Sequence, residues 1–431
     1  MFQENQKMKY ARMLSSIGFH TFTMFLRLTY SEALELYKDF KKCTAVRVRP
    51  LDHSKKSPQS MPKGYIVEYL EKSIGVSWYI RFNSKVEEHS RMSLNHLSKN
   101  YQKEPTPYSV RATINPKILN GMNDYLSAAR ADSLDQAEAS YNILAADISP
   151  MLGKFEDYRL NRVDYCFNFD PLELNMGCTV AQLFTLIRRG HIPRGFTEAT
   201  EYCEKAKKLK PYKHDFRLKN KSMTISCYLK HLQLKRRFQS CPDLQISHGV
   251  IRFEIKCEYT KIYAMSKGIK EILLNDLPIE DLAEEVLYGG ITNPTKSLLC
   301  DAFSENIIYK YFHKVIRKGD YFTLEGARWM VQSHNFRKDK EARLLETLDL
   351  ISDHRGISKA LSKIDDNKLS DVKRSLKDLD AIFVNPVTIP RGWGIPHISN
   401  PMRAYEESMY ELILSESERL FRKQLAEYNS I

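Results

Sequence analysis

Two stretches of this chain alternate apolar and polar side chains so regularly that they fit little except β-strand. In Asn161-Arg162-Val163-Asp164-Tyr165-Cys166-Phe167-Asn168-Phe169 a period of two puts Arg162, Asp164, Cys166 and Asn168 on one face. Val163, Tyr165, Phe167 and Phe169 fall on the other, which is core. In Gly249-Val250-Ile251-Arg252-Phe253-Glu254-Ile255-Lys256-Cys257-Glu258-Tyr259, the residues Arg252, Glu254, Lys256 and Glu258 share a face opposite Ile251, Phe253, Ile255 and Cys257. A charged strand face of this kind is commonly solvated, its opposite charges forming weak cross-strand pairs. The other reading is that it lines a site. Asp164 and Glu254, both flanked by basic residues, are then hard oxygen ligands suited to Mg²⁺ or Mn²⁺ bridging to a phosphate.

A third strand-like run ends in Ser226-Cys227-Tyr228-Leu229-Lys230-His231, with a tyrosine, a lysine and a histidine in close succession. A phenol can attack a phosphodiester and keep the broken end as a phosphotyrosine, provided cations and a metal ion stabilise the charge. Lys230 suits the phenolate or the pentavalent phosphate. His231 suits metal ligation or proton transfer. Most tyrosines at strand ends are packing residues with a wet hydroxyl, and the chain has 24 tyrosines.

Charge decides which partner such a tyrosine meets. The formal net charge is +13, which favours a polyanion, nucleic acid first. Between Glu204 and Arg237 there are twelve Lys/Arg, among them Lys219, Lys221, Lys230, Lys235, Arg236 and Arg237, against only Glu204 and Asp215. Tyr212 and Phe216 interleave with them. Such a run is either a solvated loop or a phosphate-tracking surface, and this one brackets the candidate nucleophile. The eight cysteines include no CxxC pair and read as reduced thiols of a cytosolic protein. The N-terminus lacks an apolar leader. The run around 19–28 is interrupted by His20, Thr21, Thr23 and Arg27, too polar and too short to span a membrane.

Along the chain, periodicity predicts a helix over 31–42, paired strands at 65–70 and 76–82 and a strand at 109–114. A polar helix then runs to about residue 145. Strands follow at 162–169, 223–229 and 250–259, with a helix at 179–189 between the first two. Beyond about residue 275 the pattern turns helical, at 279–287, 298–317, 324–333, 340–352 and 369–379. A proline-rich piece at 385–401 precedes a helix over 402–428. These elements predict an α+β or α/β sheet domain over 1–275, followed by a mainly helical domain over 276–431.

Taken in order, these motifs resemble those of the filamentous-phage replication initiators, the gene II/gene X protein family with its plasmid relatives. The likeness is carried by Tyr228-Leu229-Lys230-His231, by Arg162-Val163-Asp164 and by Gly249-Val250-Ile251-Arg252-Phe253-Glu254, and loosely by Pro116-Lys117-Ile118-Leu119-Asn120-Gly121-Met122-Asn123. It runs from about 110 to 275. The resemblance implies an α+β, antiparallel-sheet nickase core, Rep-like and HUH-like, that binds origin DNA, double- and single-stranded, nicks one strand through a 5′-phosphotyrosine and later rejoins the displaced strand. It makes Tyr228 the nucleophile with Lys230 beside it, and Asp164, Glu254 and His231 the ligands of Mg²⁺ (or Mn²⁺). Arg162, Arg252, Lys256, Lys219, Lys221, Lys235, Arg236 and Arg237 become DNA contacts. The host's cytoplasm, helicase and polymerase become the setting, with no membrane partner. The chain departs from the wider class in having no His-hydrophobic-His triplet among its twelve histidines. Two rival readings remain: a non-catalytic DNA-binding regulator, and a relaxase of a conjugative element.

Overall fold

The computed structural model describes residues 15–50, 64–70, 74–82, 108–122, 124–203, 208–211, 215–237, 243–266 and 295–411, with 413 and 417. Its strands are β1 Ser16–Arg27, β2 Val46–Pro50, β3 Gly64–Tyr69, β4 Val76–Phe82, β5 Tyr108–Ile114 and β6 Arg159–Phe169, then β7 Thr197–Glu198, β8 Thr200–Cys203, β9 Lys208–Pro211, β10 Asp215–Lys219, β11 Met223–Leu229 and β12 Ile251–Cys257. Ten of them form one sheet in the order β2-β3-β4-β5-β1-β6-β12-β11-β10-β7, while β8 and β9 pair separately. Every strand pairing within the large sheet is antiparallel among the described residues. The chain is thus mixed α+β, with a large antiparallel sheet and a helical C-terminal region.

β1 lies near the centre of the sheet, between β5 and β6, although its sequence does not announce a strand. The residues that disqualify it as a membrane span do so because they are a strand's polar side. Thr21 pairs with Asp164 and Thr23 with Arg162, and Phe22 and Met24 are wholly buried. A register shift between Phe19 and Thr21 throws His20 out of the alternation.

One face of the sheet is hydrocarbon. Phe22, Val163, Tyr165, Phe167, Ile225, Phe253 and Ile255 are fully buried. Helix Asp301–Val315 covers them, its Phe312 meeting Phe167, Phe169 and Phe253 edge-on at centroid distances of 5.8, 6.4 and 5.3 Å. Tyr165 finishes the contact by donating its hydroxyl to the Leu298 carbonyl at 2.8 Å. Helix Tyr30–Lys42, started by a Thr29–Glu32 capping box, lays Phe40 against Trp78 on the β4 side.

The opposite face is polar and is partly crossed by the segment 124–129. Phe19 and Ala129 exchange backbone hydrogen bonds of 3.0 and 2.7 Å there, and a Cβ at Gly18 would collide with the Ala129 carbonyl. The expected polar helix to residue 145 is two pieces, Pro116–Leu119 and Leu134–Ile148, with this segment between them. Helices Leu324–Ser333, Lys338–Asp353 and Asp366–Ala381 gather around Ala327, Val331, Leu344, Leu348 and Leu379. The expected helix at 279–287 and the domain change near 275 fall outside the described residues. Helix Asp301–Val315, expected in the helical half, belongs to the core of the sheet. Phe312→Ala should therefore destabilise the whole protein by about 3–5 kcal/mol in urea unfolding, with loss of the sheet signal in the same transition.

Candidate active site

Strand register places the charged residues in rows across the polar face. Asp215, Tyr228, Arg252 and Asn168 form one row over β10, β11, β12 and β6. Arg217, Ser226, Glu254 and Cys166 form the next. Lys219, Thr224, Lys256 and Asp164 form the third, which ends on Thr21 of β1. Tyr228 and Glu254 are therefore diagonal neighbours, within reach of one another. Tyr228 Oη donates to Glu254 Oε2 at 2.9 Å.

This pair sits in a cleft of about 460 Å³ whose lining includes Arg217, Lys219, Arg236 and Lys256. Arg217 is held by Asp215 at 2.5 Å. Lys219, Arg236 and Lys256 make no ion pair among the described residues, so the cleft offers free positive charge beside the phenol. Burial pushes the Tyr228 phenol well above its usual range and the Glu254 charge adds to this, while Arg252 pulls the other way. The phenol is accordingly protonated at neutral pH and needs a base to become a nucleophile.

Asp164 is buried on the next strand, paired with the cleft residue Lys256. Thr21 Oγ1 donates to its Oδ2 at 2.6 Å, and Arg162 Nη2 donates to the same oxygen at 3.2 Å. Arg162 Nε lies 3.1 Å from Oδ1 but in poor geometry, leaving Oδ1 buried without a hydrogen bond. Burial, opposed by the Arg162 charge and joined by the Glu254 charge, raises the Asp164 pKa to about 6. Two carboxylates placed diagonally on β12 and β6, one with an orphaned oxygen, are a donor set that fits a hard divalent cation.

The residues just past Tyr228 go elsewhere. At Lys230 the strand becomes the helix Lys230–Arg237. Lys230 turns inward, 1% exposed, and donates Nζ to Gln233 Oε1 at 2.7 Å. Burial, then Arg252, push its amine well below the usual lysine range, with Glu254 opposing. His231 presents Nδ1 to the Leu244 carbonyl at 3.0 Å and stacks on His248 at 3.7 Å. Among the described residues no three His, Cys, Asp or Glu side chains come together in a metal-binding group. Asp164, Glu254 and His231 are thus not brought into one cluster.

Arg252, expected beside phosphate, is wholly buried. Its Nε donates to Asn168 Oδ1 at 2.7 Å and its Nη2 to the Leu126 carbonyl. Its role here is to fasten segment 124–129 to the sheet. Arg162 and Lys256 remain half-buried on the polar face, and Lys219, Lys221, Lys235, Arg236 and Arg237 are exposed. Lys205, Lys207, Lys213 and Tyr212 of the basic run fall outside the described residues. The sequence reading did not single out Thr21 as an Asp164 partner, because the bulge at His20 hides its strand.

No protein-family model and no curated protein matches the chain. Among solved structures it is similar to a rolling circle replication initiator protein from Geobacillus stearothermophilus, at 9% identity over 68% of this chain and 95% of that one, with a TM-score of 0.26. It is also similar to the di-domain ARO/CYC StfQ of the steffimycin biosynthetic pathway, at 8% identity over 67% and 99%, with a TM-score of 0.15. Neither likeness reaches a shared fold, so the chemistry of the cleft rests on its own residues.

A buried amine among cations has a measurable consequence. Between the folded pKa of Lys230 and the unfolded value near about 10.4, the unfolded chain binds the extra proton, so stability rises with pH over that window. Lys230→Met should raise stability at pH 7 in urea titrations, and its advantage should close as the pH approaches about 10.

Proposed function

We propose that the protein is a tyrosine DNA nicking-and-joining enzyme, a rolling-circle replication initiator of the phage or plasmid type. The observation that carries this reading is the Tyr228–Glu254 hydrogen bond inside a cationic cleft. A phenol already directed at a carboxylate has its general base in place, and the flanking cations match a phosphodiester.

In this reaction Tyr228 Oη attacks the scissile phosphorus while its proton passes to Glu254. The bond from phosphorus to the 3′ oxygen breaks, that oxygen leaves as a 3′-hydroxyl after protonation, and the 5′ phosphate stays esterified to Tyr228. Rejoining is the reverse, a 3′-hydroxyl displacing the tyrosine. Asp164 and the free oxygen of Glu254 would hold Mg²⁺ (or Mn²⁺), which when bound supplies Lewis-acid polarisation of the phosphate. Arg217, Lys219, Arg236 and Lys256 draw the strand in and offset the charge that grows on the phosphoryl oxygens. The protein would act on origin DNA in a bacterial cytoplasm, where host helicase and polymerase extend the freed 3′ end. Among the described residues no helix is long and apolar enough to cross a membrane.

Tyr228→Phe should abolish nicking of supercoiled origin DNA and the covalent adduct, yet leave DNA affinity within about twofold. Glu254→Gln should slow nicking by about 10²–10⁴-fold. The checks are gel assay and mass spectrometry of the adduct after incubation with a single-stranded origin oligonucleotide. Full nicking by Tyr228→Phe would leave only a basic DNA-binding protein.

A further inference from the structure

The open face of the sheet carries positive charge well beyond the cleft. Followed obliquely through the register, Lys256 on β12, Arg162 on β6, Arg111 on β5 and Arg81 on β4 fall on successive rows. Arg162 pairs with Thr23, Arg111 with Phe25 two residues on, and Arg81 with Ser109, two residues further still. Lys219 and Lys256 share the row at the cleft end. From β10 to β4 this line crosses six strand-to-strand steps. At about 4.8 Å each they span roughly 29 Å, room for several nucleotides.

Arg111 and Arg81, like Arg236 and Arg252, stand apart from the ion-paired arginines of this molecule. Other arginines have carboxylate partners, such as Arg49 with Glu68, Arg130 with Asp301, Arg328 with Asp349, Arg343 with Asp378 and Arg403 with Asp320. Arg111 and Arg81 make no ion pair among the described residues. Arg111 Nε is buried with no hydrogen-bond partner, as is Arg162 Nε further along the line. Burial holds the Arg111 guanidinium below its usual range and the neighbouring Arg81 charge lowers it further, while Tyr79 and Glu258 act the other way. Tyr79 pairs with Arg111 across β4 and β5 and stands two residues before Arg81. Two like charges on neighbouring strands around a buried unsatisfied donor, with the Tyr79 ring packed beside them over Gly64, favour an anion.

We propose that Arg111 and Arg81, half-buried on the polar sheet face, bind phosphates of a single DNA strand that leads from the Tyr228 cleft, with Tyr79 as a stacking ring for its bases. A sheet face with interleaved cations and rings suits one unpaired strand, whose bases stack without being read. Duplex readout needs an element that enters a groove. The placement of the strand's start rests on the nickase reading; the anion-binding character of the arginine pair does not.

The test uses the full chain carrying Tyr228→Phe, so that the oligonucleotide stays intact, and fluorescence anisotropy over a salt series. Single strands of about 16 and about 4 nucleotides are compared. Adding Arg81→Gln and Arg111→Gln should reduce the slope of log affinity against log salt by about 1.4 on the longer strand, two phosphates at about 0.7 each, and leave the shorter one unchanged. The corresponding lysine pair should restore most of the slope. An unchanged slope with the glutamine pair, an equal loss with the lysine pair, or a loss seen only on duplex DNA would overturn the proposal. Adduct formation by the unsubstituted chain is read separately. Its failure together with a changed slope would remove the nickase and keep the track.

Discussion

The polar face of this sheet depends on Arg252. A guanidinium at the centre of the molecule carries a desolvation cost of several kcal/mol unless its donors are met. Here Asn168 on the next strand takes Nε and the Leu126 carbonyl takes Nη2, while Asn168 Nδ2 also donates to that carbonyl at 2.6 Å and Arg252 Nη1 stays buried without a hydrogen-bond partner. The three groups close a small network that fixes segment 124–129 over β6 and β12. Removing one member would leave a buried charge uncompensated, at a cost of about 3–5 kcal/mol. The same charge sets the electrostatics nearby: it lowers the pKa values of Lys230 and His20 and opposes the rise at Tyr228. In all three, burial is the larger effect.

That arrangement divides the polar face into a covered part and an open part. Segment 124–129 and the helix that starts at Lys230 lie over Arg252, and Lys117 adds a buried pair with Asp124 at 2.8 Å. Beyond them Glu254, Lys256, Arg162, Arg111 and Arg81 stay half-buried on the polar face, while Thr23, Phe25 and Ser109 between them are buried. The hydrocarbon face is sealed by helix Asp301–Val315, so the sheet is a plate with one side committed to stability and the other available for chemistry. The strands bring together residues distant in sequence: Thr21 reaches Asp164, and Glu254 reaches Tyr228.

How much of this was legible follows from which period each residue obeys. Strands β4 and β11 and helix Leu324–Ser333 have the boundaries that alternation and helical spacing predict, because nothing interrupts their periods. Asp164, Glu254 and Tyr228 were readable as members of one polar face for the same reason. β1 was not, since the bulge at His20 breaks the alternation just where a reader would count it. Lys230 and His231 were expected to work beside Tyr228 because they follow it in sequence, but the strand ends at Leu229. The helix that begins there turns one side chain into the interior and the other toward Leu244. Arg252 could be assigned to a face but not to burial, because its cover is far away in the sequence. Local pattern assigns a side chain to a face; only the tertiary packing decides whether that face meets water.

The state of the phenol links these layers. A tyrosine poised as phenolate would be reactive toward any electrophile that entered the cleft. Held protonated by burial and by the adjacent carboxylate, it gains nucleophilicity only as its proton moves to Glu254. Within the proposed reaction, that transfer is favoured when the incoming phosphodiester engages Lys219, Arg236 and Lys256, because the charge developing on phosphorus is then met by groups already in position. The same restraint serves the return step. A phosphotyrosine whose leaving phenol can be reprotonated by Glu254 is a good target for a 3′-hydroxyl, so one carboxylate can act as base in cutting and as acid in joining. The strand geometry that puts Glu254 diagonally across from Tyr228 is sufficient for both roles.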